Sequence, residues 1–245
     1  ATETNSPSNR NRAMEKNPKK FEWQKLAGNT GAIRDAVAVL GKEKFADRAR
    51  RYDEEASFPF ENYDDMRDAG ILAMTVPERN GGLGVEYKDY ALLAAEMGKW
   101  CGATALTFNM HACTPLWTGH ISDDLEMSAD DRKQHNRNRE LHFARIVENG
   151  AIFAQPFSEG SAAAAGKAPF GTMAAKVDGG WLLNGKKIFA SLSGAATYYG
   201  VVCTEDKPDS SVRDTLFMAV PADAGGVSIV GPWDPVGMRA TVSRT

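Results

Sequence analysis

The sequence is poor in several things that would have narrowed its chemistry at once. Its 245 residues include three cysteines, Cys101, Cys113 and Cys203. Their odd number argues against a disulfide framework, and their spacing matches no metal-ligand pattern. Positive charge is not in excess, since 29 Lys and Arg stand against 32 Asp and Glu for a net charge of −3. That balance argues against a nucleic-acid partner. No apolar run approaches the roughly 18 residues of a membrane span. The N-terminal stretch ATETNSPSNRNRAMEKNPKK has no apolar h-region of a secretory signal. GGLG at residues 81–84 is not followed by the Lys and Ser/Thr of a phosphate loop, and no GxSxG elbow or Ser/His/Asp set can be picked out. A reducing, cytoplasmic setting with no membrane and no nucleic acid is the expectation.

What is present reads as a globular protein, with 42% hydrophobic and 25% charged residues. Residues 1–19 read as a disordered tail. From there the pattern is helical as far as residue 149. Ile33, Val37, Leu40, Phe45 and Ala49 recur on one stripe over residues 30–51, weakened but not ended by Gly41. Phe60 to Ala69 reads as a short helix closed by Gly70. VPERNGGLGVEY, residues 76–87, reads as a Gly-rich connector. Helical spacing resumes at Asp89 with Tyr90, Leu93, Ala94 and Met97. Residues 102–119 read as a buried helix, and Asp130 to Glu148 as a charged one whose apolar part is Leu141, Phe143, Ile146 and Val147.

From residue 150 to 245 the period becomes two. Strands are expected at 151–154, 172–177, 181–183, 186–190, 198–203, 214–220 and 226–230, with hairpin turns at Asp178-Gly179-Gly180 and Asn184-Gly185. The fold class expected is therefore an all-α N-terminal domain, residues 20–149, followed by an antiparallel β-barrel or sandwich.

Three stretches could carry chemistry. AIFAQPFSEGS, residues 151–161, is a strand entering a loop with free N–H groups and hydroxyls at Ser158 and Ser161, a concavity suited to a phosphate or a ring carbonyl. In KKIFASLSG, residues 186–194, Phe189 and Ser191 stand two apart, so on a strand they face the same side. A ring beside a hydroxyl suits a flat heteroaromatic with a ring nitrogen, and the small residues from Ala190 to Ala196 let such a group come close. Of the four histidines, His111 lies in the apolar stretch TFNMHACTPLW, where a hydrogen-bonded core role outweighs a catalytic one. His135 and His142 lie on the charged helix and read as solvated; with His120 they form no metal constellation.

Gly70-Ile71-Leu72 with VPERNGGLG, then AQPFSEGS, GGWLLNGKKIFASLSG and VGMRATVS, follow one another in the order of "G+L…VPE…GGLG", "TEPxxGS", "GxWxLNGxKxWITxG" and "LGMRGSxT". In this the chain resembles the acyl-CoA dehydrogenase superfamily. The resemblance implies an N-terminal helical domain, a middle β-barrel domain and a C-terminal helical bundle that this chain does not contain. It implies FAD as cofactor, an acyl-CoA or similar thioester as substrate, a role in fatty acid metabolism, electron-transferring flavoprotein as electron acceptor, and a homo-oligomer of two or four subunits. Phe153, Ala154, Gln155, Ser161, Phe189, Ala190 and Ser191 correspond to flavin-lining positions. Ser161 also falls beside the thioester, and Ser191 takes the place of the hydroxyl facing flavin N5. The reaction implied is α,β-dehydrogenation with hydride transfer to N5, the proton going to a glutamate of the C-terminal bundle. The chain is expected to continue past Thr245.

There are departures. Ala154-Gln155 replaces "TE", Phe189 replaces Trp, and the loop "EPxxGS" has one extra residue. "FAS" and the His111 region also resemble flavin-dependent monooxygenases of the same fold, some of which use a histidine of the helical domain. A non-catalytic subunit is the third alternative.

Overall fold

A computed structural model describes residues 28–160, 163 and 166–245. The expected tail at 1–19 and Ser161 lie outside the described residues. Among these, six α-helices precede five strands: α1 Thr30–Leu40, α2 Ala46–Glu55, α3 Phe60–Asp68, α4 Tyr87–Gly98, α5 Gly102–Leu116 and α6 Ala129–Asn149.

Helices α1 and α2 are one rod joined by a π turn over Gly41–Phe45. Buried positions fall at Ile33, Val37, Gly41 and Phe45. A step of four overshoots the α-helical turn of 3.6 residues. The wider π turn absorbs that drift and keeps the stripe on one face. Gly41 is required by packing: a Cβ there would overlap the indole ring of Trp100. Helix α3 ends as expected at Gly70, whose φ of +72° is open to glycine. Its Asn62 and Tyr63 are buried and bond Thr104 and Thr107 of α5 at 2.9 and 3.0 Å. Phe143 and Ile146 of α6 are buried as expected, whereas Leu141 is 57% exposed.

The strands are β1 Phe153–Ala154, β2 Met173–Val177, β3 Gly180–Asn184, β4 Tyr198–Glu205 and β5 Thr215–Pro221. The sheet is mixed and does not close into a barrel, which corrects the antiparallel expectation. Strand β4 is its spine. β5 runs antiparallel along one edge of β4, from Tyr198↔Pro221 to Thr204↔Thr215. The other edge is shared: β1 pairs parallel with Tyr198 and Tyr199, and β2 parallel with Thr204 and Glu205. β2 and β3 form the hairpin expected at Asp178-Gly179, with Val177 opposite Gly180.

Three further expectations fail for identifiable reasons. Residues 186–190 form no strand. On a strand, Lys187 and Phe189 would share a face, yet the Lys187 side chain is 10% exposed and Phe189 is 62% exposed. Phe189 breaks the alternation by adopting φ +54°. Its neighbours then bond different partners, Ile188 N–H to Ser158 O at 2.7 Å and Ala190 N–H to Arg244 O at 2.8 Å. Asn184-Gly185 makes no hairpin, and Gly185 instead passes so close to Thr172 that a Cβ would overlap it. Residues 226–230 are irregular, held between Gly226 at φ +91° and Gly231 at φ +80°, with only Val230 exchanging bonds with Thr245.

Helical and β parts share one core. Ile33, Phe45, Phe108 and Leu116 belong to the same buried cluster as Ile152, Leu192, Tyr199 and Val242.

Gly41→Ala tests the π-turn packing by its sign. In an unobstructed helix Ala gains about 1 kcal/mol over Gly. Against Trp100, overpacking of about 1–3 kcal/mol prevails, so urea unfolding shows a net loss. Combined with Trp100→Ala, the cost falls below the sum of the two.

Candidate functional site

The site is built on segments that His111 ties together. His111 is fully buried on α5. Its Nε2 lies 2.9 Å from Leu72 O, and its Nδ1 accepts the Phe153 N–H at 3.1 Å. One nitrogen donates and the other accepts, so the ring is neutral. Burial pushes its pKa down to about 4. Neither nitrogen is free to move a proton, and the ring acts as a bolt between α5, the Leu72 turn and β1.

Strand β1 offers its side chains to the core. Phe153 and Ala154 are fully buried, and the Phe153 ring stacks on Tyr198 at 5.2 Å. Gln155 is 5% exposed; its amide donates to Thr114 of α5, while its Oε1 has no partner. His142, expected to be solvated, stands edge-on to Phe153 at 5.7 Å, and burial pushes its pKa down to about 4. His135 is also engaged, its Nε2 2.7 Å from Ser122 Oγ. A cleft of about 550 Å³ between α6 and β5 lies beside these residues, with Trp117, Arg139, Phe157 and Phe217 in its walls.

Beyond Gln155 the loop is anchored by Glu159, which the sequence reading did not single out. Its carboxylate accepts Gly171 N–H at 2.7 Å, Thr172 N–H at 2.9 Å, the Thr172 hydroxyl, and Lys187 Nζ at 2.6 Å. Burial alone would raise its pKa; these donors, Lys187 first, outweigh it and hold the carboxyl below its usual range. Lys187 also donates to Val202 O at 2.5 Å and lies 4.5 Å from the Phe170 ring centroid. The pair seats the 155–159 loop against residues 187–188.

That places the expected ring seat. Phe189 projects outward, edge-on to Trp233 at 6.3 Å. Ala190 is buried. Ser191 is half-buried, with its hydroxyl 2.7 Å from that of Ser243. Pro156, Ala190, Tyr199, Val201, Val220 and Ile229 line a shallow apolar hollow of about 130 Å³ beside it. The seat is strained: Phe189, Leu192, Met238 and Val242 have φ of +54°, +67°, +58° and +47°. Such conformations cost roughly 1–2 kcal/mol per residue. They are held by bonds between the two loops, Leu192 N–H to Thr241 O at 3.0 Å and Ser193 N–H to Val242 O at 3.2 Å. Phe189 and Ser191 thus reach the surface on either side of the buried Ala190, and the Ile188 N–H to Ser158 O bond holds the segment beside the 155–159 loop. An exposed ring, a hydroxyl with an inward partner and close backbone suit a planar group bearing a hydrogen-bonding nitrogen.

Models of the acyl-CoA dehydrogenase N-terminal domain and middle domain match residues 29–119 and 157–245. The chain belongs to the acyl-CoA dehydrogenase family. It is 31% identical over 206 residues to the putative acyl-CoA dehydrogenase YdbM of Bacillus subtilis, covering 82% of this chain and 49% of YdbM. It is also 31% identical over 201 residues to the amino sugar nitrososynthase DnmZ of Streptomyces peucetius, covering 80% of this chain and 45% of DnmZ. The chain thus spans about half the length of these relatives. Among solved structures, KijD3 in complex with dTDP superposes with a TM-score of 0.73 at 24% identity, over 88% of this chain and 51% of that one. FMN-bound TdsC of Paenibacillus sp. A11-2 gives 0.68 at 22%, over 87% and 50%. These two likenesses show that the chain shares its fold with those proteins.

The site generates two predictions. A histidine whose folded pKa lies below its unfolded value stabilises the fold above the unfolded pKa of roughly 6.5. That contribution is lost as pH falls and is exhausted near pH 4. His111 therefore makes stability fall between these limits, by up to about 3 kcal/mol; denaturant melts at stepped pH show His111→Gln with a flatter profile. Lys187→Met leaves Glu159 buried beside no cation and costs about 3–5 kcal/mol in the same assay.

Proposed function

We propose that the chain is part of a flavin-dependent oxidoreductase that carries out α,β-dehydrogenation of an acyl thioester, with FAD as its flavin. The observation that carries this is the Phe189–Ser191 seat, an outward ring and a hydroxyl on a strained loop pinned beside the 155–159 segment. Membership of the acyl-CoA dehydrogenase family supports it.

In this reading the flavin supplies the redox chemistry, taking up the hydride from the β-carbon. The protein's share is orientation. Phe189 meets the ring, and Ser191 hydrogen-bonds its reactive nitrogen. Glu159 and Lys187 fix the loop that carries Ser158, and the family resemblance assigns Ser161 to the thioester. The methyl of Ala154 stands where the family pattern has a hydroxyl, so Ser191 carries more of the polar contact. The family resemblance puts the proton acceptor in the C-terminal helical bundle and makes electron-transferring flavoprotein the electron acceptor of a homo-oligomeric enzyme.

One finding favours a second reading, oxygenation by reduced flavin: two relatives at 31% and 30% identity are nitrososynthases. Anaerobic mixing of the full-length protein with a panel of acyl-CoA thioesters separates the two. Bleaching of the flavin absorbance is the expected result, and Ser191→Ala slows it about tenfold, as loss of one hydrogen bond of roughly 1.4 kcal/mol implies. No bleaching by any thioester, with oxygen uptake when reduced flavin is supplied, establishes the second reading instead. A full-length protein that takes up no flavin defeats both.

A further inference from the structure

Behind the seat lies a line of three hydroxyls. Ser191 Oγ is 2.7 Å from Ser243 Oγ, which is 2.7 Å from Thr241 Oγ1. The Thr241 hydroxyl donates to Met238 O at 2.9 Å, and the same carbonyl accepts the Thr241 N–H at 3.1 Å. Thr241 and Ser243 are 1% and 6% exposed, while Ser191 reaches the surface at the outer end.

Each hydroxyl has a single proton to give. When Thr241 gives its proton to Met238 O, Ser243 gives its own to Thr241 and Ser191 gives its own to Ser243. The outer end of the line then offers only lone pairs. In the opposite sense Thr241 donates to Ser243, Ser243 to Ser191, and Ser191 outward. Met238 O keeps the Thr241 N–H in both senses, so reversal leaves no buried acceptor without a donor. Rotation of three O–H bonds turns the outer end from acceptor to donor, with no heavy atom moved and no net proton transferred.

We propose that Ser191, Ser243 and Thr241 form a polarity switch that lets Ser191 donate to an unprotonated ring nitrogen and accept from the same nitrogen once it carries hydrogen. The inference rests on the flavin reading and deepens it. Ser243 and Thr241 are positioning residues, acting only through Ser191. The inward sense has one hydrogen bond more, that from the Thr241 hydroxyl to Met238 O, so the line favours the reduced ring.

The midpoint potential of flavin bound to the full-length protein tests this apart from turnover. Thr241→Val removes the inward terminus and leaves the Ser243 proton only Ser191 to bond. The expected result is about a tenfold shift of the redox equilibrium towards the oxidised form, a potential lower by about 30 mV for a two-electron couple. Thr241→Ser keeps the hydroxyl and restores the wild-type potential. Ser243→Ala cuts the line, so adding Thr241→Val to it produces no further shift. An unchanged potential in Thr241→Val overturns the switch, as does an equal shift in Thr241→Ser, which would mark a packing effect. Wild-type protein that binds no flavin overturns the flavin reading and the switch together. That outcome is seen before any substitution is made, so the two failures are distinguishable.

Discussion

A neutral imidazole sets the geometry on which the seat depends. His111 receives the Phe153 N–H and approaches Leu72 O from its other nitrogen, which fixes where β1 begins relative to the helices. Strand β1 spans only Phe153–Ala154, so an error there passes undamped into the loop that follows. The loop carries Ser158, whose carbonyl takes the Ile188 N–H, and Glu159, which takes Lys187 Nζ. Those two bonds position the backbone just before Phe189 and Ser191. A charged imidazole could not accept from Phe153, so the register of the whole segment rests on one ring staying unprotonated in a dry environment.

The seat is made of loop because a strand could not make it. Period-two alternation ties the fates of residues 187, 189 and 191. Here Lys187 must face inward to neutralise Glu159, and Phe189 faces out. One left-handed residue decouples them. The same device recurs at Leu192, Met238 and Val242, and for the β-branched Val242 it is a marked outlier. Strain concentrated in two loops bonded to each other is affordable only where the surrounding core determines their path. Leu192 and Val242 supply that by joining the main buried cluster.

The parts legible in the sequence were those governed by local rules. The stripe from Ile33 to Phe45, the stop at Gly70 and the turn at Asp178-Gly179 follow from residue spacing and backbone preference. The motif order placed Phe189 and Ser191 beside the 155–159 loop. What was not legible depends on partners far along the chain. Parallel pairing of β1 and β2 with opposite ends of one β4 edge leaves no period of its own. His142 sits on a charged helix yet packs on Phe153 and Phe217, which no helical wheel announces. Asn184-Gly185 has the composition of a hairpin turn, but its glycine answers to Thr172. Thr241 and Ser243 stand two apart, the same spacing as Phe189 and Ser191, but the contact that joins the two pairs spans 52 positions of the chain.

The loop's departures from the family pattern are better explained as compensated changes than as decay. Gln155, standing where the pattern has Glu, gives its amide to Thr114. The segment with one extra residue contains Glu159, whose carboxylate side chain is 8% exposed and would be costly without donors. Four arrive, from Gly171, Thr172 twice and Lys187. Those donors come from both ends of the β2–β3 hairpin, so satisfying one carboxylate also fixes where that hairpin sits against the seat. A loop released from function has no need to gather a buried ion pair within a segment one residue longer than the family pattern. That Glu159 is paired on every side, next to strained backbone carrying an outward ring and hydroxyl, argues for a segment still held to a working geometry.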